Sequence, residues 1–253
     1  MNTINLLEED YDELYKVISG YKENREALEN FVKGLLELLT SYRKKLLIDE
    51  LKMLQGGRLG LIFWGYSKLY NKNLVLKIIP EFLSVFEIES TAYKHLSESY
   101  MCKIFEINDV QNVIVMEKLD NEKTLKYSEN KEAVLDFFDK VYSNLIEFQN
   151  LNSPLYIEVF KTYFEQLNEM NVNDYDFLKE KALDLYEEKF KDKQLYLLHC
   201  DLHSKNIMKG EDDYYAIDPL GYVAPKEFAF VRFIITELFF ISNTNDYVFY
   251  IDI

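Results

Sequence analysis

The chain has 253 residues, which is enough to bury a sizeable core in one large domain or in two lobes. Its formal net charge of −15 argues against nucleic acid or an anionic membrane as a partner, because both attract a positive surface. The same charge would favour cationic small molecules. Glycine, with 8 residues, and proline, with 4, are scarce, which favours helices over a turn-rich sandwich.

The cysteines and the chain ends indicate a cytoplasmic protein. Cys102 and Cys200 are too far apart in sequence to form a CxxC metal pair, and two cysteines make no disulfide framework. The N-terminus has neither the basic region nor the apolar region of a signal peptide. The longest apolar run, at 233–241, is too short to span a bilayer.

The first half of the chain changes character at Gln55. Residues 4–50 lack proline and carry leucines at spacings that one helix face can collect, which predicts helix. After the glycine cluster QGGRLG, runs of β-branched and aromatic residues bounded by turn residues predict strands. In chain order we predict strands over 61–66 and 74–79, a helix over 81–99, and strands over 102–109 and 112–119.

From residue 128 onward, helices dominate. Apolar residues recur with helical periodicity, interrupted by three short strand-like runs. We predict helices over 132–149, 153–170, 174–190 and 227–242, with short strands at 194–199, 206–210 and 214–218. Strands first and helices after predict a two-lobed α+β enzyme.

The strongest chemical signal is LLHCDLHSKNIM at 197–208. It places His199, Asp201 and Asn206 in the pattern H-x-D-x-x-x-x-N, which is typical of kinase catalytic loops. A carboxylate such as Asp201 can accept the proton of an attacking hydroxyl. The amide oxygen of Asn206 can bind Mg²⁺, and Asp218 follows at a predicted strand end as the principal metal ligand.

Lys77 lies on a predicted strand whose neighbouring side chains on the same face, Val75 and Ile79, are apolar. A lysine in such surroundings needs an anionic partner, and a nucleotide phosphate or a helix carboxylate would serve. Glu87 and Glu89 both follow on the next predicted helix. We favour Glu89, because Ala92, Tyr93 and Leu96 then continue the same helix face.

The glycine cluster at 55–60 allows two interpretations. Gly56 and Gly57 permit close approach of the backbone to phosphates, but a plain hairpin turn explains them equally well. The cluster does not have the spacing of a Walker A loop.

His199, Asp201 and His203 also form H-x-D-x-H, a pattern that a metal-dependent hydrolase could use. The only other histidine is His95, so a catalytic zinc site would be short of ligands. We therefore favour a hydrogen-bonded, structural role for His199 in the loop.

HCDLHSKNIM followed by YYAIDPLG resembles the aminoglycoside phosphotransferases, and in particular the streptomycin 6-kinase and hydroxyurea phosphotransferase branch. His203 is typical of that group, as is an I-D-P motif where protein kinases carry D-F-G. The resemblance covers roughly 55–240 and is most specific at 197–221.

The resemblance implies a protein-kinase-like bilobal fold. It would comprise a helical N-terminal segment over 1–50, a nucleotide-binding lobe with a small antiparallel sheet over 51–119, and a mainly helical lobe with the catalytic loop over 120–253. The implied reaction moves the terminal phosphate of ATP or GTP to a hydroxyl of a small molecule, with an aminoglycoside such as streptomycin as acceptor.

The resemblance also implies a role for each matched residue. Asp201 would be the base, with His199 and His203 beside it, and Lys77 would bind the α- and β-phosphates with Glu89 as its partner. Adenine would lie between Val75 and Ile217, against the hinge. The implied site comprises Asp201, His199 and His203 for catalysis; Asn206 and Asp218 for Mg²⁺; and Lys77, Glu89, Val75, Gly56, Gly57, Met116, Glu117, Leu119 and Ile217 for the nucleotide.

Three features depart from the family pattern. Cys200 replaces the usual glycine of H-G-D, and Ala229 replaces an acidic residue that steadies the loop, for which we expect Glu227 to substitute. The family continues through further helices where this chain has only residues 219–253 after Asp218. We therefore expect N-terminal helices or a partner chain to complete the acceptor site, or else a pseudokinase or regulatory module that binds nucleotide without transfer.

Overall fold

The computed structural model describes most of the chain in two compact units. The first unit runs up to Ser90 and includes Cys102–Leu119, and the second consists of Thr91–Met101 and the chain from Asp120 onward. Residues 4–24 of the helical stretch predicted over 4–50, and the glycines Gly56 and Gly57, lie outside the described residues. The described ranges are 25–54, 60–83, 85–148, 153–169 and 176–241.

An antiparallel five-stranded sheet and one long helix build the first unit. The elements are α1 (Arg25–Leu46), β1 (Lys52–Leu54), β2 (Leu61–Ser67), β3 (Lys72–Ile78), α2 (Phe86–His95), β4 (Ile104–Asn108) and β5 (Val113–Glu117). The strand order in the sheet is β1-β2-β3-β5-β4, so β5 lies between β3 and β4. A short 3₁₀ turn at Glu81–Leu83 precedes helix α2.

The core of this unit lies between α1 and one face of the sheet. The buried side chains of α1 recur at the three- and four-residue spacing of a single helix face, and alternate residues of the strands meet them. Helix α1 is thus part of the same unit as the sheet. The core includes Leu35, Leu39, Tyr42 and Leu46 from α1, and Leu61, Phe63, Leu74, Leu76, Val113 and Val115 from the sheet.

The second unit combines helices with two small sheets. The elements are β6 (Asp120–Thr124), α3 (Lys131–Ser143), β7 (Ile146–Glu147), α4 (Tyr156–Glu169), α5 (Asp176–Lys189), β8 (Leu195–Leu198), β9 (Ile207–Lys209), β10 (Tyr214–Ala216), β11 (Tyr222–Pro225) and α6 (Val231–Ile241). One sheet has the strand order β10-β9-β6 and the other β11-β8-β7, and all their pairings are antiparallel. Short 3₁₀ turns lie at Ser204–Asn206 and Lys226–Phe228.

Some elements differ from the predictions at the points where tertiary pairing overrides local pattern. Strand β6 has the sequence DNEKT, which lacks any apolar alternation, yet it pairs irregularly with β9. The helix predicted from residue 227 begins at Val231, because a 3₁₀ turn precedes it. None of the helices in the described part of the chain has the length and apolar character needed to cross a membrane.

Candidate active site

The candidate catalytic loop connects β8 to β9 and is anchored at both ends. Leu198 of β8 lies opposite Tyr222 of β11, and Ile207 of β9 lies opposite Ala216 of β10. Leu198 and Ile207 are buried, as is Leu202 in the middle of the loop. These buried apolar side chains therefore anchor the loop in the second unit.

His199 links this loop to the segment that carries Asp218. The ring is buried, its Nε2 donates to the carbonyl of Ile217 at 2.8 Å, and its Nδ1 accepts the N–H of Asp201 at 3.3 Å. Burial lowers the pKa of His199 to about 4, so the imidazole is neutral near neutral pH. The carbonyl of His199 also accepts the N–H of Leu220 at 2.9 Å.

This hydrogen bonding argues against the alternative metal site formed by H-x-D-x-H. Nε2 of His199 carries the proton that it donates to Ile217, and the lone pair of Nδ1 accepts the N–H of Asp201, so neither ring nitrogen is left for a cation. Within the described ranges, no group of three or more His, Cys, Asp or Glu side chains is arranged to hold a metal ion.

The amide of Asn206 is oriented by Asp201. Its Nδ2 donates to the backbone carbonyl of Asp201 at 3.1 Å and to Oδ2 of the same residue at 3.2 Å. Both acceptors lack a proton, so the nitrogen must face them and the amide oxygen must point away. No group in the described part of the chain donates to that oxygen, which leaves it available to a cation.

Asp218 lies two residues beyond β10, with its backbone in the left-handed region at φ 57°. Aspartate tolerates this conformation better than most residues. The backbone N–H of Asp218 donates to the hydroxyl of Tyr93 at 2.9 Å, and the N–H of Ala216 donates to the carbonyl of Tyr100 at 2.7 Å. The N–H of Ile217 donates to the carbonyl of Asn206 at 2.9 Å, which joins the two ligand-bearing segments directly.

The carboxylate of Asp201 has a basic side chain on each of two sides. Nε of Arg232 donates to its Oδ1 at 3.2 Å, and Nε2 of His203 lies 3.7 Å from its Oδ2. Partial burial raises the pKa of Asp201, and nearby Asp218 adds to this, whereas His203 and Arg232 oppose it. Burial lowers the pKa of His203. Sequence reasoning missed Arg232.

In the first unit, Lys77 and Glu89 form a buried ion pair. Nζ of Lys77 on β3 lies 2.6 Å from Oε1 of Glu89 in the first turn of α2, and the two side chains are only 7% and 8% exposed. The competing candidate, Glu87, is exposed. The structure therefore places Glu89 against the lysine. The role of the pair in binding phosphate stays a prediction.

The strand that carries Lys77 adjoins the predicted hinge. Val75 lies opposite Met116 of β5, and Met116 is buried with its Sδ 3.9 Å from Sγ of Cys102. The N–H of Glu117 donates to the carbonyl of Lys103 at 2.9 Å. The predicted contact of adenine with Val75 and Ile217 stays a prediction.

Leu119 ends the predicted hinge and differs from the residues before it. The N–H groups of Glu117 and Lys118 donate to backbone carbonyls at 2.9 and 3.0 Å. The N–H of Leu119 has no such partner among the described residues. The predicted contact of this N–H with a nucleotide base stays a prediction.

The acidic residue that steadies the loop is not Glu227. That residue is half-buried and forms an ion pair with Lys193, because its 3₁₀ turn packs beside β8. Glu237 of α6 takes the role instead: its buried carboxylate accepts the Ser204 hydroxyl, and it accepts the N–H of Tyr127 at 3.1 Å. Sequence reasoning missed Glu237, whose apolar helix offered only one carboxylate as a signal.

Comparisons of sequence found no match, whereas comparisons of structure found similar solved structures. No protein-family model matches the chain, and no curated protein sequence matches it. Of the similar solved structures, a thermostable mutant of aminoglycoside phosphotransferase APH(4)-Ia, in ternary complex with ADP and hygromycin B, aligns with a TM-score of 0.56 and 13% identity. That alignment covers 80% of this chain and 76% of the other.

Two further structures agree. A mutant of the same phosphotransferase, with AMP-PNP and hygromycin B, aligns with a TM-score of 0.51 and 14% identity over 73% of this chain and 72% of its own. Choline kinase from Cryptosporidium parvum Iowa II aligns with a TM-score of 0.52 and 14% identity over 75% of this chain and 65% of its own. The chain therefore has the protein-kinase-like α+β fold, the fold that these small-molecule kinases share.

Proposed function

We propose that this protein transfers the terminal phosphate of ATP or GTP to a hydroxyl group of a small molecule, with Asp201 as the general base. The observation that carries the proposal is the joint arrangement of Asp201, Asn206 and Asp218. Asp201 orients the Asn206 amide through two hydrogen bonds, and a backbone bond ties Asn206 to the residue before Asp218.

The donor set of this arrangement fits Mg²⁺. The amide oxygen of Asn206 and the carboxylate of Asp218 are hard oxygen ligands of the kind that this ion prefers. When bound, Mg²⁺ would neutralise negative charge on the nucleotide phosphates. Asn206 and Asp218 would then hold the ion while Asp201 remains directed towards the acceptor.

In the transfer step, the acceptor oxygen forms a bond to the terminal phosphorus. The bond between that phosphorus and the bridging oxygen breaks, so the nucleoside diphosphate leaves with the electron pair. The carboxylate of Asp201 accepts the proton of the acceptor hydroxyl. His199, neutral and hydrogen-bonded on both sides, keeps the backbone of Asp201 in place.

Lys77 serves the donor side in this proposal. Its ammonium would bind the α- and β-phosphates, and Glu89 at 2.6 Å keeps it extended and charged in a buried position. The unpaired N–H of Leu119 would donate to the nucleotide base. The ADP and AMP-PNP in the neighbouring phosphotransferase structures support a nucleotide donor.

For the acceptor, the motif resemblance favours an aminoglycoside such as streptomycin. The hygromycin B in the neighbouring complexes supports a small hydroxyl compound of this general kind. The chain charge of −15 is compatible with a cationic acceptor in a cytoplasmic protein.

Mass spectrometry can test the proposal. Incubation with Mg·ATP or Mg·GTP and a panel of aminoglycosides, amino alcohols and other hydroxyl compounds should yield an acceptor heavier by one phosphate. The Asp201→Asn variant should lose at least about a hundredfold in rate, since general bases contribute that much or more. Asp212→Asn, an exposed carboxylate in the nearby β9–β10 turn, is the matched control and should keep the wild-type rate.

Two outcomes would refute transfer by this mechanism. An Asp201→Asn variant with full rate would remove the base assignment. Tight binding of Mg-nucleotide by calorimetry, without turnover of any acceptor over long incubations, would favour a regulatory module that binds and does not transfer.

A further inference from the structure

Arg232 is a cationic residue that contacts Asp201, the proposed base, and has no role in the proposed transfer step. It lies in the first turn of α6, and its Nε donates to Oδ1 of Asp201 at 3.2 Å. The side chain is 53% exposed. Its two terminal nitrogens have no hydrogen-bond partner in the described part of the chain. These two nitrogens form a planar pair of donors on a side chain that already contacts the proposed base.

Stability alone does not account for this arginine. A cation in the first turn of a helix is at the unfavourable end of the helix dipole. A single ion pair at a half-exposed position contributes little to folding. Arg232 contacts Asp201 only through Nε. The edge of the guanidinium that carries the two terminal nitrogens has no partner among the described residues. That edge is suited to a carboxylate or a phosphate group.

The charges around Asp201 differ from those of the chain as a whole. Lys205 is exposed on the same loop and, like Arg232, acts electrostatically on His203. In the proposed function, the negative charge of Asp218 is compensated by Mg²⁺. Two cationic side chains, Arg232 and Lys205, therefore act on the loop of the proposed base, although the chain carries a net charge of −15.

We propose that Arg232 is a specificity residue that binds an anionic group on the acceptor, a carboxylate or a phosphate, a few bonds away from the reacting hydroxyl. This inference rests on the proposed function. On the charge of the acceptor it departs from the aminoglycoside that the motif resemblance favours. It selects hydroxy acids and phosphorylated alcohols instead, because a polycation would have to place its charge beside the guanidinium of Arg232. The terminal phosphate of the nucleotide also carries anionic oxygens that Arg232 could bind. The acceptor KM and the nucleotide KM distinguish whether the arginine binds the acceptor or the nucleotide.

The test compares acceptors that differ mainly in charge. Glycerate and glycerol 3-phosphate are the anionic probes, glycerol is the neutral probe, and choline and streptomycin are the cationic ones. Wild type should phosphorylate the anionic probes best. Arg232→Gln should lower kcat/KM for them at least about tenfold through the acceptor KM, as expected when binding that is equal in ground and transition states is lost. The nucleotide KM should not change, and Arg232→Lys should restore part of the loss.

Lys226→Gln is the matched control. It removes the same charge from an exposed residue in the 3₁₀ turn before α6, next to Tyr142. It should leave all acceptor constants as in wild type. Since Arg232 is exposed, its variants should fold normally, which circular dichroism can verify.

Several results would overturn the inference. Turnover of cationic or neutral acceptors in preference to anionic ones would do so while leaving the proposed function intact. A rise in nucleotide KM in Arg232→Gln, with an unchanged acceptor KM, would assign the arginine to the nucleotide phosphate instead.

If no acceptor of any charge gains a phosphate, the proposed function fails for this panel, and calorimetry with glycerol 3-phosphate decides the role of Arg232. Binding to wild type that is lost in Arg232→Gln and kept in Lys226→Gln would support the anion site. Equal heats in wild type and Arg232→Gln would refute it.

Discussion

The backbone of Cys200 is in the left-handed region, with φ 60°, immediately before the proposed base. A side chain in this conformation costs about 1–2 kcal/mol, and only glycine adopts it freely. The thiol is buried, and its Sγ lies 3.8 Å from the carbonyl of Tyr222. A glycine at this position, as in the H-G-D motif of the family that the sequence resembles, would adopt this backbone conformation freely. This chain has cysteine there instead, and its sulfur is buried.

We predict that Cys200→Gly is more stable than Cys200→Ala by about 1 kcal/mol, because both remove the sulfur but only glycine relieves the backbone. Urea denaturation measures the difference. Cys102 is the control: it is also buried, and its φ is not positive. There the order should be reversed, with alanine the more stable by about 0.5–1 kcal/mol. Equal stability of the two Cys200 variants would show that the backbone there is unstrained.

The pairing of β3 with α2 depends on a buried charge pair. Lys77 and Glu89 are each less than a tenth exposed, so neither charge has water to compensate it if its partner is removed.

We predict that Glu89→Gln lowers the free energy of unfolding by about 3–5 kcal/mol, because it removes the carboxylate charge that lies 2.6 Å from the buried ammonium of Lys77. Chemical denaturation provides the measurement. Glu87→Gln, which removes the same charge from an exposed position on the same helix, should remain close to wild type. If both variants lose stability equally, the buried pair does not stabilise the first unit in this way.

Helix α6 contacts the catalytic loop through the buried carboxylate of Glu237. Burial raises its pKa above the ordinary value of 4.5. The folded state then holds this proton more tightly than the unfolded state does. The contribution of Glu237 to stability is therefore complete below pH 4.5 and falls as the pH rises through the raised pKa of the folded state.

Glu237→Gln should remove this pH dependence. The stability of wild type relative to Glu237→Gln should decrease from pH 4.5 towards pH 7, as measured by urea denaturation at several pH values. Glu132→Gln, an exposed residue at the start of α3, controls for the loss of one negative charge. A relative stability that rises with pH would mean that the folded state favours the charged form of Glu237.

The proposed function assigns Lys77 and Asp218 to the same nucleotide triphosphate, although they are far apart in the chain. A ligand that binds only the folded protein stabilises it by RT ln(1 + L/Kd), where L is the free ligand concentration. At a concentration of 100 times Kd the gain is about 2.7 kcal/mol.

We predict that Mg·AMP-PNP raises the melting temperature and that EDTA removes most of the increase, because the phosphates then lose their cation. Asp218→Asn should abolish the Mg²⁺-dependent part, and Lys77→Met should weaken binding of the nucleotide itself. Asp212→Asn is the control and should respond as wild type does. The same shift in Asp218→Asn as in wild type would refute its assignment as a metal ligand.

Sequence patterns predicted a two-lobed α+β enzyme, and the motif resemblance implied the protein-kinase-like fold, which the structural comparisons confirm. Sequence patterns also predicted the loop with Asp201 and Asn206 and the choice of Glu89 over Glu87. These features depend on local spacing: an eight-residue motif, the two-residue period of a strand, and the face of one helix. The functional roles of these residues stay predictions.

Arg232 and Glu237 emerged only from the tertiary structure. Arg232 meets Asp201 across 31 positions of sequence, and Glu237 meets Tyr127 across 110. Strand β6 likewise depends on its pairing with β9 rather than on its own composition. Local periodicity indicates which residues share a face, but which distant side chain packs against that face is decided by the folding of the chain in three dimensions.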